Sequence, residues 1–189
     1  MEKAEEARSK HRTEEAISHF NKAVSIDPEF VAARNNLGSL FLSLDRPQEG
    51  VAQLEEAAKT DPHQPALFNN LSVGYDMMNN FEASERAART LLSLDGTWTR
   101  GPLLLGCALV KQRKFTEETL QCLERAHDKY PLAYLLTAQV LEAKGELEKV
   151  KSELRAYLNT GEQRLRGFAN LWLKRISPGE QEAVVLRPR

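Results

Sequence analysis

A repeat of about 34 residues is the feature that most constrains how this chain can fold. The segment Arg34–Asn35–Asn36–Leu37–Gly38–Ser39–Leu40–Phe41 recurs one period later as Phe68–Asn69–Asn70–Leu71–Ser72–Val73–Gly74–Tyr75, and the Leu–Gly pair returns at Leu105–Gly106. A second marker has the same period: Asp27–Pro28, Asp61–Pro62 and Asp95–Gly96, then Tyr130–Pro131 with one residue of slippage. Two independent markers with a common period predict an array of repeated units.

Each period contains apolar residues at helical spacing, whereas runs that alternate apolar and polar residues are missing. Ala, Leu, Glu, Lys and Arg fill these stretches, which favours helices over strands. We expect pairs of helices at 1–10 and from Thr13 on, 29–43 and 47–60, 62–78 and 81–93, 97–112 and 115–129, and 132–143 and 146–159. Asp27 is expected to cap the helix that follows it, with Pro28 at the first helical position.

The two ends of the array are expected to differ from its middle. In residues 1–10 only Ala4 and Ala7 are available to pack, so the first repeat is predicted to be thin or truncated. Residues 161–176 form an unpaired helix with one apolar stripe: Leu165, Phe168, Leu171, Trp172 and Ile176. A repeat array must end in an element that is apolar inside and polar outside, so a C-terminal capping helix is predicted here. Residues 177–189 are predicted to be a flexible tail.

The bulk composition excludes several classes of protein. A net charge of −1 and a pI near 6.5 give no basic field for nucleic acid. The longest nearly apolar run, Pro102 to Val110, is far shorter than the about 20 residues of a membrane span, so no membrane insertion is expected. The start lacks the pattern of a secretory signal, and a cytoplasmic location is expected. Cys107 and Cys122 are expected to be thiols, with a bridge between them as the alternative.

With the chain divided in this way, it resembles the tetratricopeptide repeat family, whose helix–turn–helix unit has the same period. The clearest matches are Leu37–Gly38, Phe41, Ala57 and Pro62, followed in the next repeat by Phe68, Leu71 and Tyr75. Gly50 and Ser72 depart from the family's usual Ala and Gly. The resemblance implies an all-α, right-handed α-solenoid of about five helix-turn-helix repeats over residues 1–160, closed by the capping helix at 161–176.

The residues do not favour an enzyme. His11, His19, His63 and His127 lie in different parts of the array and are expected at the surface or at helix ends. No pair of them has the spacing of a metal site, and no glycine-rich loop follows a strand. Asp and Glu alternate with Lys and Arg, as on solvated helix faces. We therefore expect no catalytic residues, no metal and no cofactor.

The resemblance also implies a binding surface. In this family the first helix of each pair lines a concave groove, and Asn residues before the Leu–Gly pair are often turned into it. An amide can donate to and accept from the backbone of an extended peptide. The predicted peptide-binding residues are Asn36 and Asn70, then Asn35 and Asn69, with Ser39, Val73, Met77 and Arg100, and further Asp76, Leu103 and Cys107. The alternative is that the amides bridge neighbouring helices or face water.

The leading functional hypothesis is a non-enzymatic scaffold that binds an extended segment of a protein partner. One alternative is a structural module that self-associates into a homo-oligomer or joins a larger assembly. Another is a regulatory repeat region of a larger enzyme. The family's clamp for acidic chaperone C-termini needs Lys, Asn and Arg in register across successive repeats. Here Ala66 and Leu104 occupy positions where that clamp needs basic residues, so we do not favour chaperone docking.

Overall fold

The computed structural model describes residues 2–177, with side chains described from Arg12 onward. Within this range all regular structure is helical, and the predicted all-α fold is confirmed. The ten helices are α1 (Glu2–Ile26), α2 (Val31–Ser43), α3 (Pro47–Thr60), α4 (Pro65–Met77), α5 (Phe81–Leu94), α6 (Gly101–Lys111), α7 (Glu117–Glu124), α8 (Leu132–Ala143), α9 (Leu147–Asn159) and α10 (Arg166–Ile176). The predicted tail lies outside the described residues, except for Ser177.

The helices belong to two compact units, Met1–Leu104 and Leu105–Arg189, and the boundary falls inside α6. In the first unit α2 packs against α3 and α4 against α5, while α1 packs on α2 and α3 on α4. In the second unit α8 packs against α9, α7 packs on α8, and α10 packs on α9. The predicted pairing is therefore confirmed for α2 with α3, α4 with α5 and α8 with α9.

The turns within the helix pairs share one backbone geometry. Asp45, Asn79 and Arg113 have φ values of 58°, 57° and 58°, and each lies one period from the next. Gly145 has a φ of 78° in the turn between α8 and α9. The left-handed region suits Gly and, to a lesser degree, Asn and Asp, but it strains a long side chain such as that of Arg113. All four residues lie in the gaps between the two predicted helices of a pair, so the predicted positions of these turns are confirmed.

The Asp–Pro marker has a different role from the predicted one. The Oδ1 atom of Asp27 accepts a hydrogen bond from the backbone N–H two residues later at 3.0 Å. Asp61 makes the same bond at 3.0 Å and Asp95 at 2.9 Å. Helix α2 begins only at Val31, so the prediction that Asp27 caps it is wrong. The carboxylate closes a local turn instead, because it reaches an N–H group that precedes the helix.

The first repeat is one continuous helix. Helix α1 runs from Glu2 to Ile26, so the predicted break before Thr13 is wrong. No Gly, Pro or Asn interrupts residues 2–20, and the Lys, Arg, Glu and Ala residues there carry the helix onward. Ala16, Phe20 and Ala23, which helical spacing places on one face of α1, are only partly buried although α1 packs on α2.

Two helix pairs cross at small residues. A Cβ atom on Gly38 would lie 2.9 Å from the carbonyl oxygen of Gly50, and a Cβ on Gly50 would lie 2.9 Å from the oxygen of Gly38. Ser72 and Ser84 hold the same two positions in the next repeat. There the Oγ of Ser84 donates to the carbonyl of Ser72 at 2.8 Å, and the two hydroxyls lie 3.1 Å apart. Gly50 and Ser72, the two residues that depart from the family pattern, thus lie where the backbones of two helices approach closely.

Each unit has its own apolar core. In the first unit the core is built mainly from α2 to α5 and contains Leu42, Val51, Leu54, Ala57, Leu67, Leu71 and Ala87. In the second unit it extends to α10, and its members include Leu123, Leu141, Leu154, Tyr157 and Trp172. Tyr157 is also a fixed point for the last helix, because its hydroxyl accepts from the backbone N–H of Leu165 at 3.2 Å.

Candidate functional site

Three of the predicted asparagines form one hydrogen-bonded chain. The Nδ2 of Asn70 donates to the Oδ1 of Asn35 at 3.0 Å, and the Nδ2 of Asn69 donates to the Oδ1 of Asn70 at 3.0 Å. The first bond joins α4 to α2, so here the amides bridge neighbouring helices, which was the alternative to peptide binding. Asn36 is exposed and takes no part in these two hydrogen bonds. A peptide-binding role for the four residues stays a prediction.

The other predicted peptide-binding residues lie in different environments. Ser39 and Arg100 are exposed, as a groove contact requires. Val73 and Met77 are partly buried and pack against the core of the first unit. Leu103 is only 9% exposed. Asp76 and Cys107 are partly buried. The predicted set is therefore a group of amides with two exposed neighbours, and its apolar members serve the core.

An apolar groove lies between α8 and α10 in the second unit, with a volume of about 640 Å³. We call it the α8–α10 groove, and its lining is Leu132, Leu135, Leu136, Gln139 and Glu142 from α8 with Leu165, Phe168, Leu171, Trp172 and Arg175 from α10 or the residue before it. Three of the apolar side chains are exposed: Leu132 at 42%, Phe168 at 56% and Leu171 at 69%. Large apolar side chains that cluster at the surface are unusual in a monomer and typical of interaction sites.

The groove exists because only part of the apolar face of α10 is covered by neighbouring side chains. Ala169 and Trp172 turn into the core and are 0% and 9% exposed. Phe168 and Leu171 lie on the adjoining side of the helix, and they remain uncovered. The prediction that the whole stripe of this helix faces inward is therefore wrong. Phe168 packs beside Trp172 with ring centroids 5.5 Å apart.

Leu135 and Leu136 occupy a position in the repeat that the asparagines mark earlier in the chain. Asn35–Asn36, Asn69–Asn70 and Leu103–Leu104 are each one period apart, and Leu135–Leu136 follows after a slightly shorter step. The same shortened step separates the turn residues Arg113 and Gly145. The row therefore changes from amides to leucines along the sequence. The prediction built on the asparagines missed this change, although the period itself contained the signal.

The polar groups at the α8–α10 groove are few. Glu142 and Arg175 form an ion pair at the end of the groove near the C-terminus of α10. The pair neutralises the only two charged residues of the lining, so the groove favours an uncharged, apolar occupant. The buried Nε1 of Trp172 and the buried Oγ of Ser177 have no hydrogen-bond partner among the residues that the structure describes. Most buried polar groups are paired, so both need an explanation.

A second polar cluster lies in the same unit, around His127. Its ring stacks on Tyr134 at a centroid distance of 4.0 Å, and its Nε2 lies 3.0 Å from the Oγ1 of Thr137 and 3.8 Å from Glu153. His127 lies just past the C-terminal end of α7, in keeping with the expected helix-end position, but its side chain is only 14% exposed. Burial lowers the pKa of His127, whereas burial and the nearby Glu124 raise the pKa of Glu153.

The described part of the chain contains no metal site, membrane-spanning helix or disulfide. No group of three or more His, Cys, Asp and Glu side chains there is placed to hold a metal ion. None of the described helices combines the length and hydropathy needed to cross a bilayer. Cys107 is partly buried and Cys122 is buried, and no disulfide joins them.

The chain is similar to known proteins in one sequence segment and in its fold. Residues 7–72 match the tetratricopeptide repeat family model. No curated protein matches the sequence. The fold is similar to the crystal structure of MamA, at 17% identity and a TM-score of 0.75, covering 85% of this chain and 95% of that one.

Two further solved structures have the same fold. Pseudomonas aeruginosa PilF is 20% identical, with a TM-score of 0.70 over 90% of this chain and 87% of that one. YrrB, a TPR protein with an unusual peptide-binding site, is 17% identical, with a TM-score of 0.69 over 87% of each chain. At such identities the likeness concerns the fold. Residues 7–72 of this chain thus match the tetratricopeptide repeat family, and the fold of the described residues is similar to that of the solved structures above.

Proposed function

We propose that the chain is a non-enzymatic scaffold that binds a segment of a protein partner in the α8–α10 groove. The observation that carries this proposal is the exposure of Leu132, Phe168 and Leu171 along one neutral groove. The partner segment that fits is one with two or three large aliphatic or aromatic side chains and few charges. Proteins of this class use the concave surfaces of their repeats for such contacts.

The exposed side chains supply much of the free energy that such a complex needs. Full burial of one Leu or Phe side chain is worth about 1.5–3 kcal/mol. Leu132, Phe168 and Leu171 are each partly covered already, so together they offer about 2.5–5 kcal/mol. A micromolar complex requires about 8 kcal/mol. The groove therefore supports a complex of moderate affinity, with the remainder from the partner's backbone and from the groove's floor.

The amide row of the first unit is a second contact surface in this proposal. The chain Asn69–Asn70–Asn35 uses one donor from each of two amides, so other donors and acceptors of these groups stay available to a peptide backbone. The exposed Asn36 follows Asn35 in the sequence and extends the row. Replacement of Asn36 and Asn70 together by Ala should weaken partner binding. Full retention of every partner by this double variant, folded as judged by circular dichroism, would remove the amide row from the proposal.

The groove is tested by charge substitutions at exposed positions, which should not disturb folding. Leu171→Glu places a carboxylate in the groove, whereas Asn170→Glu places one on an exposed position of the same helix outside it. Partners captured by the wild-type chain and identified by mass spectrometry are then titrated, as purified segments, against both variants. We expect at least about tenfold weaker binding for Leu171→Glu, the equivalent of about 1.4 kcal/mol. Equal affinities for the two variants would contradict the proposal.

The two other functions make different predictions for the same variants. A self-associating module would lose its concentration-dependent dimer in light scattering when Leu171→Glu is introduced, and Asn170→Glu would keep it. A regulatory region of a larger enzyme would bind a segment encoded in the same reading frame. The cytoplasmic location belongs to the proposal as well, and a fluorescent fusion observed in cells tests it.

A further inference from the structure

We propose that the chain's own segment Ala183–Leu186 binds the α8–α10 groove when no partner is present, so that a partner must displace it. This inference rests on the proposed function of the groove, because it describes how that function is regulated. The segment reads Ala183–Val184–Val185–Leu186 and follows α10 closely in sequence. Its side chains belong to the class that the groove favours, aliphatic and uncharged.

The position of the segment in the chain allows it to reach the groove. From Leu165 to Arg175 the groove follows α10 for about 15 Å, at a rise of about 1.5 Å per residue. The chain leaves the helix after Ile176, at the end of the groove that Arg175 lines. The nine residues 178–186 span at most about 30 Å when extended and about 13 Å when helical. Either conformation brings residues 183–186 back to the exposed Leu171 and Phe168.

The residues on either side of the segment favour a return of the chain. Pro178–Gly179 follows the helix closely, and this dipeptide marks a turn. Glu180 and Glu182 come next, and a reversed chain would bring them close to Arg175, whose side chain is 64% exposed. Because Arg175 already pairs with Glu142, this contact contributes little, and the turn-forming dipeptide is what favours the return.

The repeat itself supports the same contact. In the described part of the chain, α2, α4 and α8 are each followed by a helix that packs against them: α3, α5 and α9. The segment after α10 holds the corresponding place in the sequence. Val184 lies one period after Val150, which is fully buried in α9. By the period, the centre of the apolar segment thus corresponds to a position that is buried in α9.

Two unsatisfied polar groups lie close to the point where the segment begins. The Nε1 of Trp172 and the Oγ of Ser177 are both buried without a hydrogen-bond partner among the described residues. Both belong to the last part of α10 or to the residue that follows it. Backbone groups of a chain that turns back at residue 178 are the nearest source of partners in the sequence. Pairing them would remove the cost of leaving each group buried without a partner.

A tethered segment competes strongly because its effective concentration is high. A short flexible linker gives an effective concentration in the millimolar range. A segment that alone binds with a Kd of about 100 µM would then occupy the groove about nine-tenths of the time. The apparent affinity of the full chain for its partner is lowered about tenfold by this competition.

The experiment uses the full chain and the intrinsic fluorescence of Trp172, in a Trp98→Phe background so that one tryptophan remains. The variant Val184→Asp/Leu186→Asp places two charges in the segment, and Gln181→Ala is the matched control outside it. We measure acrylamide quenching of Trp172 and the binding of a labelled peptide with the sequence of residues 178–189. Circular dichroism checks that all variants are folded.

We expect stronger quenching of Trp172 and peptide binding in the Val184→Asp/Leu186→Asp chain, with the Gln181→Ala chain equal to the parent. Addition of the peptide should reverse the increase in quenching. Equal quenching in all three chains, or equal peptide binding by them, would overturn the inference. A failure of the proposed function has a different sign: Leu171→Glu would then leave the affinity for the partner unchanged, whether or not the segment binds the groove.

Discussion

Gly38 lies at a crossing where the two helix backbones touch, so its replacement by Ala should destabilise the chain. An added Cβ would lie 2.6 Å from the Cγ of Leu54 and 2.9 Å from the carbonyl oxygen of Gly50. Leu54 is fully buried, and the carbonyl belongs to helix α3, so neither atom can move away cheaply. The methyl group can enter only if α2 and α3 separate.

The expected magnitude is the difference of two opposing effects. Ala is favoured over Gly in a helix by about 1 kcal/mol. Overpacking of a core costs about 1–3 kcal/mol, and contact with the backbone places this site at the upper end. Gly38→Ala should therefore lower the free energy of unfolding by about 1–2 kcal/mol.

Gly167 is the control, because nothing lies within 4 Å of a Cβ built there, and it is exposed in α10. Gly167→Ala should raise stability by up to about 1 kcal/mol. Urea unfolding followed by far-UV circular dichroism compares both variants with the parent. If Gly38→Ala stabilises the chain as Gly167→Ala does, the close crossing of α2 and α3 is not present in the protein.

Three further substitutions test other parts of the structure. Arg113→Gly removes a long side chain from a left-handed position and should raise the unfolding free energy by about 0.5–1 kcal/mol. Gly145→Ala should lower the unfolding free energy by a similar amount. Thermal unfolding measures both variants, and shifts of the melting temperature in the same direction would contradict the turn geometry. Glu153→Gln removes a buried carboxylate oxygen without a hydrogen-bond partner and should stabilise the chain by about 1 kcal/mol at neutral pH, a figure discounted for partial exposure. Because the pKa of Glu153 is raised in the folded chain, the parent regains stability as the pH falls through that pKa towards 4.5. The advantage of Glu153→Gln should shrink over this range, and an advantage that grows there would refute the burial of the carboxylate.

The features of the fold that could be predicted are those that neighbouring residues decide. The turns at Asp45, Asn79 and Gly145 follow from side chains that tolerate a positive φ, so the period located them correctly. The Asp–Pro marker also located the connection between helix pairs correctly, but an Asp carboxylate can either close a turn or cap a helix. Which one forms depends on where the helix begins, and that is set by packing.

The α8–α10 groove was harder to predict than the fold, because the exposure of a side chain depends on which residues pack around it. Leu135 and Leu171 have helical spacing, and apolar residues with this spacing usually belong to a core. The sequence cannot say that Trp172 is covered while Leu171 is left bare. His127 is the opposite case, a polar residue that is largely covered. Tyr134 and Thr137 of the next helix contact its side chain, and the spacing of apolar residues in the sequence does not predict these contacts.

The central claim is that the α8–α10 groove receives an apolar segment, and site-specific photo-crosslinking can test it before any partner is known. A photoreactive phenylalanine analogue is placed at Phe168, in the groove, or at Asn170, which lies about 200° away around the helix. Adducts formed in cells are mapped by mass spectrometry to the residues joined. We predict adducts from position 168 alone, on aliphatic or aromatic residues of a partner or of residues 183–186. Adducts in equal yield from both positions, or none from position 168, would contradict the claim.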